Sequence, residues 1–381
     1  MDDKQTGDAP FAFASALPDS GTRPAPLPLT FSGSGAEYFR IWIVNLLLTV
    51  ATLGIYSAWA KTRRLQYFYR NTHLAGASFD FRGNPQAILR GRLVAVALVA
   101  AYHYAFGFSR LTGAVIVGLL LAGLPFMMRS ALRFRLSNTW YRGLPFGFDG
   151  SIRQAYLVYL LPVAIFVVPG ALVALAPGNA ALLGAFTLLY LCWPLMHGAM
   201  KGYQHKHLMY GDQRAGFPLS VGSLAWPYLQ AVLLGLGIGV AYAVLAGVLF
   251  GFGARGSIAS GIMVIGAIVV LYAYMLLIGP FILVRMNNKA WSATSFPGVG
   301  IDCAMTAWGY LKLQVVNVLL TAFTLGLFRP FAAVRTWRYR VEHLHVDAPD
   351  GFEQATRSAG RRQVAATGDG VADFLGVDLS W

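Results

Sequence analysis

Charge is scarce in this chain, and acidic charge is the scarcest. Of 381 residues only 12% are charged, with 16 Asp and Glu against 30 Lys and Arg, while 56% are hydrophobic. A soluble domain carries about a quarter charged residues, so a water-soluble globule is excluded and a bilayer protein is indicated. All 16 acidic residues lie outside the long apolar runs described below. Proton- and cation-coupled transporters place carboxylates within their spans, so this absence argues against coupled transport and leaves passive or lipid-handling roles open. Cysteine is nearly absent too. Cys192 and Cys303 support neither a disulfide framework nor a metal-ligand spacing. There is no nucleophile motif, no pair of carboxylates on one span and no phosphate loop after a strand, so nothing points to an enzyme. No metal or cofactor site is expected.

What the chain has is apolar length. Six runs, roughly 88 to 108, 111 to 129, 155 to 177, 180 to 198, 226 to 250 and 258 to 284, approach or exceed the roughly 20 residues that a helix needs to cross hydrocarbon. Short connections join them in pairs, which predicts three transmembrane helical hairpins. The longer connections on the other side carry most of the basic residues, Lys61, Arg63, Arg64, Arg133, Arg135 and Lys206 among them, against only Arg110 and Arg255 in the tight turns. By the positive-inside rule the basic side is cytoplasmic. The net charge of +14 is therefore a topology signal, with the lipid bilayer and its anionic headgroups as the expected partner. No module of interleaved aromatic and basic residues supports nucleic acid.

The basic connections resemble one another. RNTHLAGASFDFRG ends at Gly83, SNTWYRGLPFGFDG at Gly150 and KHLMYGDQRAGFPLSVG at Gly222, with shorter relatives ending at Gly35 and Gly300. Alternation around a Gly-containing turn predicts short β-hairpins on the cytoplasmic rim. Residues 1 to 30 and 354 to 381 read as tails on either side of a membrane domain at 31 to 353. No basic n-region precedes the first apolar run, so no signal peptide is expected.

A second repeat joins the two ends of the membrane domain. Asn45, Thr49, Thr52-Leu53-Gly54 and Arg63 return at one constant offset as Asn317, Thr321, Thr324-Leu325-Gly326 and Arg335. A single crossing by each copy would put Arg329, Arg335, Arg338 and Arg340 outside and run the copies in opposite directions. Both conflicts vanish if each copy bends at its TLG and returns, with arms of about 15 residues, roughly 22 Å at 1.5 Å per residue. The broken helices then make Asn45, Thr52, Gly54, Asn317, Thr324 and Gly326 candidate bend or cavity residues, because freed backbone at depth needs polar cover. Single crossings with atypical flanks are the alternative.

Other polar features have plainer readings. His103, inside the first apolar run, either bonds a neighbouring helix or lines a wet cavity. His73, His207 and His343 fall at matching places and suit hydrogen bonds within the hairpins better than metal ligation. GFGARG from Gly251 fits the G-x-G-x-x-G pattern, but it lies between two apolar runs rather than after a strand, so it is a turn. Gly235 and Gly239 suit close helix packing.

FSGSGAEYFRIWIVNLLLTVATLGIYSAWAKTRRLQYFYRNTHLAGASFDF resembles the opening of the YjgN family of bacterial inner-membrane proteins, and TLGLFRPFAAVRTWRYRVEHL resembles that family's closing segment. The resemblance is carried by about 31 to 92 and 308 to 353, and Arg329-Pro330 departs from Ser57-Ala58 of the first copy. It implies a multi-pass protein of the bacterial inner membrane and transfers no activity and no site residue.

The expected fold is thus an all-α polytopic membrane protein: three transmembrane hairpins, two TLG broken-helix segments and short β-hairpins on the cytoplasmic side. Two functions fit it, a passage or binding cavity for a small molecule or lipid, and a structural or partner-binding protein acting through its basic hairpins. Cysteine introduced at Ser137 or Ser220 is expected to resist an impermeant thiol reagent in intact cells, and labelling from outside would overturn the topology. A reporter fused after Arg340 is expected to fluoresce in the cytoplasm, whereas phosphatase activity there would sink the re-entrant reading.

Overall fold

The computed structural model describes residues 25–175, 178–251 and 257–348. Its helices come in consecutive sets, each followed by a short β-hairpin or its equivalent. Helices α1 (Gly35–Ala51) and α2 (Ser57–Arg70) lead into strands β3 (Thr72–Leu74) and β4 (Ala77–Phe81). Helices α3 (Pro85–Phe108) and α4 (Arg110–Ser137) lead into β5 (Thr139–Tyr141) and β6 (Leu144–Phe148). Next come α5 (Ile152–Leu175), α6 (Ala180–Leu189) and α7 (Trp193–Lys206), before β7 (Leu208–Tyr210) and β8 (Gln213–Arg214). Helices α8 (Val221–Gly251) and α9 (Ser257–Ser292) precede β9 (Ser295–Phe296) and β10 (Val299–Cys303). Finally α10 (Ala307–Phe323) and α11 (Arg329–Glu342) lead into β11 (Leu344–Asp347).

Among the described residues five helices are long and apolar enough to cross a membrane: α3, α4, α5, α8 over Val221–Leu249 and α9 over Ser260–Ser292. The run expected at 180 to 198 is not one helix. It breaks after Leu189 into a 3-10 turn, Tyr190–Cys192, and restarts at Trp193 with Pro194 in the first turn of α7. Proline has no N–H to give and its fixed φ suits a helix start, a break that apolar content alone does not reveal. The apolar windows of α8 and α9 are left unburied by the rest of the chain, as befits helices whose solvent is lipid. The best-packed interior lies between α4, α5 and α7, where Leu132, Ala155 and Tyr159 are fully buried.

The all-α expectation also needs correction, because the hairpins pair with one another. Seven strands run in the order β2-β3-β4-β5-β6-β7-β8 and four in the order β1-β11-β10-β9, all antiparallel. Strands β1 (Leu27–Pro28) and β2 (Thr30–Phe31) belong to one N-terminal segment, which pairs with β11 on one side and β3 on the other. At the opposite junction Gly216 and Ser295 exchange two backbone bonds of 2.7 and 3.1 Å. The two sheets are therefore one closed ring of five hairpins, the fifth completed by the N-terminal segment. Residues 27–31 thus lie in the ring, and 27–30 of them belong to the stretch read from composition as a tail. Residues 1–24, the C-terminal stretch 354–381 and most of the GFGARG turn lie outside the described residues.

The same contact recurs around the ring. The amides of Ser32, Arg82, Asp149 and Ala304 donate to the carbonyls of Asn71, Asn138, His207 and His343 at 2.9, 2.9, 3.2 and 3.0 Å. Those four acceptors are the residues that cap α2, α4, α7 and α11, where helix carbonyls lack intrahelical partners. Two hairpins turn through residue pairs with positive φ, Ala75-Gly76 at 45° and 75° and Arg142-Gly143 at 45° and 78°. Positive φ at both central positions is the type I′ turn that matches strand twist.

The F-x-G endings have a steric cause. The Phe81 ring folds back over Gly83, where a Cβ would stand 2.5 Å from it, and Phe81 is fully buried and cannot swing away. Phe148 and Tyr203 press on Gly150 in the same manner, at 2.7 and 2.5 Å. Gly83→Ala and Gly150→Ala are each expected to cost about 1–3 kcal/mol, the range of core overpacking. Gly118→Ala, where nothing lies within 4 Å, is the control that should not destabilise. Melting of the purified protein in detergent checks this, and unchanged midpoints for both ring variants would contradict the account.

Candidate functional site

Strand side chains alternate between faces, so the closed ring gathers every second residue at its centre. Each hairpin contributes one of Leu74, Tyr141, Tyr210, Phe296 and Val346 to the cavity wall. Leu29, Phe79, Phe146, Gln213 and Ile301 join them, Phe79 paired with Tyr141, Phe146 and Gln213 with Tyr210, and Ile301 with Val346. The ends of the incoming helices supply Tyr69, Arg135, Leu136, Trp291, Trp337 and Arg340. Between them lies a largely apolar cavity of about 220 Å³. That is below the roughly 300–1,000 Å³ of pockets for drug-sized ligands, so the cavity suits a small molecule or one chain of a larger one.

Several lining polar groups are engaged in holding the ring. Tyr141 donates its phenol proton to the Leu74 carbonyl at 2.7 Å, and Tyr210 donates to the Tyr141 carbonyl at 3.2 Å, so the second and third hairpins are each tied to the one before. Burial, with the neighbouring Tyr141, pushes the Tyr210 phenol up to about 12 against the opposing pull of Arg142. Burial likewise raises Tyr141. Both phenols stay protonated near neutral pH and keep donating. Trp337 Nε1 donates to Thr72 Oγ1 at 3.1 Å, and the hydroxyls of Thr72 and Thr139 donate back to the carbonyls of Phe68 and Arg135 at 2.8 and 2.9 Å.

Arginine is the one charged residue type in the lining. Arg135, 8% exposed, donates through Nη2 to Tyr69 Oη at 3.1 Å. Arg340 donates to Tyr310 Oη at 3.0 Å and lies 5.7 Å from the centre of that ring. Among the described residues lining the cavity there is no Asp or Glu.

None of the seven residues singled out from sequence lines this cavity. Asn45 and Asn317 are buried on α1 and α10, and Asn317 Nδ2 donates to Thr336 Oγ1 at 3.2 Å. Thr52 and Thr324 cap those helices identically, each donating to the carbonyl four residues back at 2.7 Å and accepting an amide four residues on at 2.9 Å. Gly54 and Gly326, at φ 92° and 95°, donate to Thr49 and Thr321 at 2.7 and 2.8 Å, after Leu53 and Leu325 at φ 49°. This 6→1 bond is that of a Schellman motif. His103 is exposed on α3, edge-on to Tyr104 at 4.9 Å and five residues before the helix ends at Phe108. The structure brings the other six residues into two equivalent helical hairpins and leaves His103 apart.

The matching histidines hydrogen-bond, but two of them reach back to the preceding segment rather than within their own hairpin. His73 lies 2.9 Å from Ser32 Oγ, His207 3.0 Å from Asp149, and His343 2.7 Å from the Tyr339 carbonyl. His205 is buried against Thr294 at 2.9 Å, and burial, with Lys201 nearby, holds its pKa well below the ordinary value. Among the described residues no group of three or more His, Cys, Asp or Glu could hold a metal ion. The cavity residues carried a sequence signal, the alternation of each hairpin, but its meaning depends on which hairpins meet.

The chain matches the family model described as "Bacterial protein of unknown function (DUF898)" over residues 26–374. It is 35% identical over 147 residues to the inner membrane protein YjgN of Salmonella typhimurium, an alignment covering 36% of each chain. It is 33% identical over 140 residues to YjgN of Escherichia coli O157:H7, covering 35% of this chain and 34% of that protein. These alignments span about a third of the relatives' length. No solved structure matches the chain. Together with the five apolar helices, these relatives place the protein in the inner membrane as a multi-pass protein. The family match begins one residue before β1 and runs through the whole ring and its helices, so the chain belongs to the DUF898 family of bacterial proteins.

Proposed function

We propose that this inner-membrane protein is a binding protein rather than an enzyme, and that its ring of hairpins holds a small apolar or amphipathic molecule at the cytoplasmic face of the bilayer. The observation that carries this reading is the cavity itself. Apolar side chains from all five hairpins surround about 220 Å³, in a ring joined directly to the helices that cross the membrane. Native interiors are packed to crystal density with few voids larger than a water molecule, and a space this large with a largely apolar lining suits an apolar body.

The two TLG hairpins fit the same reading as elements that dip into the cytoplasmic leaflet and return. Helix α2 has 14 residues, about 21 Å at 1.5 Å per residue, short of the roughly 30 Å hydrocarbon core. Ala58 and Trp59, at its start, share a buried cluster with Ile88 in the first turn of α3, so the bend is nearer the cytoplasmic end of α3 than its far end. Leu53 and Leu325 at the two tips are each 95% exposed, which favours lipid contact, and Arg63 and Arg64 would then lie at headgroup level.

A photoreactive long-chain alcohol carrying a diazirine, applied to the protein in nanodiscs, tests the cavity. Labelling is expected at residues 291–301 and 337–346 as well as on lipid-facing α8 and α9. The double variant Val299→Trp, Ile301→Trp fills the space and should abolish the first set while leaving the second. Ring labelling that persists in the filled variant, or never occurs, would refute cavity binding.

A further inference from the structure

We infer that the cavity takes a flat aromatic molecule of about two fused rings, held between an aromatic wall and an aliphatic one. This rests on the cavity-binding reading above and adds the class of ligand.

The cavity wall is aromatic well beyond the composition of the chain. Of its 22 lining residues 8 are Phe, Tyr or Trp, more than a third, against 14% in the whole sequence. They are not spread evenly. Four successive strands, β4 to β7, supply one aromatic side chain each, Phe79, Tyr141, Phe146 and Tyr210. Phe79 stands 4.6 Å from Tyr141 and 6.2 Å from Phe146, with planes 28° and 23° apart, and Phe146 stands 5.1 Å from Tyr210. The strand order sets β10, β11 and the N-terminal segment across the hairpin ring from this row. There the lining is aliphatic, with Leu29, Ile301 and Val346. Helices α2 and α11 add Tyr69 and Trp337, edge to face at 5.8 Å.

Aromatic side chains that served only to fill the hairpin ring would leave no space beside them, since interiors pack to crystal density. About 220 Å³ is open here. An apolar cavity of about 150 Å³ takes up benzene, so this one has room for roughly two fused rings and not for three. Aromatic pairs gain from offset-stacked or edge-to-face contact beyond the area they bury. A flat guest can set one face to the aromatic row and the other to the aliphatic wall. A saturated guest of the same carbon skeleton gains only the burial of its surface.

Competition against the photoreactive alcohol in nanodiscs decides the matter, using naphthalene, its saturated counterpart decalin, the open chain decane and the three-ring anthracene, all compared at equal mole fraction in the lipid. Naphthalene should suppress cavity labelling at mole fractions about two- to ten-fold below decalin or decane, the scale of one aromatic pair. Anthracene should compete no better than decane. Phe79→Leu and Phe146→Leu each replace an aromatic side chain of the row by an aliphatic one. Both should erase the advantage of naphthalene while decalin still competes, which also shows that the hairpin ring has folded. Equal or greater potency of decalin or decane, an advantage that survives both Leu variants, or displacement by anthracene at the potency of naphthalene would overturn the inference while leaving cavity binding standing. Absence of any cavity labelling would instead remove the reading beneath it.

Discussion

A helix that ends inside a protein leaves its last carbonyls without partners, and in this chain α2, α4, α7, α9 and α11 all end where the hairpins begin. The amide after the preceding hairpin's outgoing strand meets the capping carbonyl at four of these places, Ser32 to Asn71, Arg82 to Asn138, Asp149 to His207 and Ala304 to His343. Gly216 and Ser295 make the equivalent junction beside α9. Each set is therefore incomplete alone, and its hydrogen bonds close only when its neighbour is present. Because the last hairpin is completed by residues 27–31, the two ends of the membrane domain are bound to each other. A centre surrounded on all sides follows from that closure.

How much of this was legible depended on the range of the interaction. The apolar runs of α3, α4, α5, α8 and α9 are local composition, and they read correctly. The run at 180 to 198 is apolar too, but hydropathy does not register the 3-10 turn at Tyr190–Cys192 or Pro194 in the first turn of the helix that restarts at Trp193. The hairpins were visible in alternation such as Leu74, Phe79 and Phe81, but which hairpin sits beside which is a non-local fact. Residues 27–31 show the cost most clearly. Leu27, Leu29 and Phe31 alternate with Pro28 and Thr30 as a strand should, yet their partners are His345, Val346, Thr72 and His73, too far along the chain for any window to reveal. The candidate site was missed for the same reason: Asn45, Asn317 and the TLG residues are conspicuous as a repeat, and the repeat marks a turn rather than the cavity.

The five sets use one plan at different lengths. Thr52-Leu53-Gly54 and Thr324-Leu325-Gly326 turn the chain after helices of 17 residues, whereas α3 and α4 continue for 24 and 28 residues. The ring is indifferent to that difference, because what it uses is the last turns of each incoming helix and the strands that follow. Length on the membrane side can vary while the cytoplasmic ring keeps its geometry.

The sign of charge favoured inside the ring is a contest between two sources. Helix C-termini each present about half a negative charge, and five of them converge, which taken alone favours a cation. That effect fades within the last turn, and at the seams the carbonyls already accept strand amides at 2.9 to 3.2 Å, so much of it is answered at the periphery. The guanidiniums of Arg135 and Arg340 stand in the cavity lining itself, each bonded to a phenol, and oppose that field where nearness counts most.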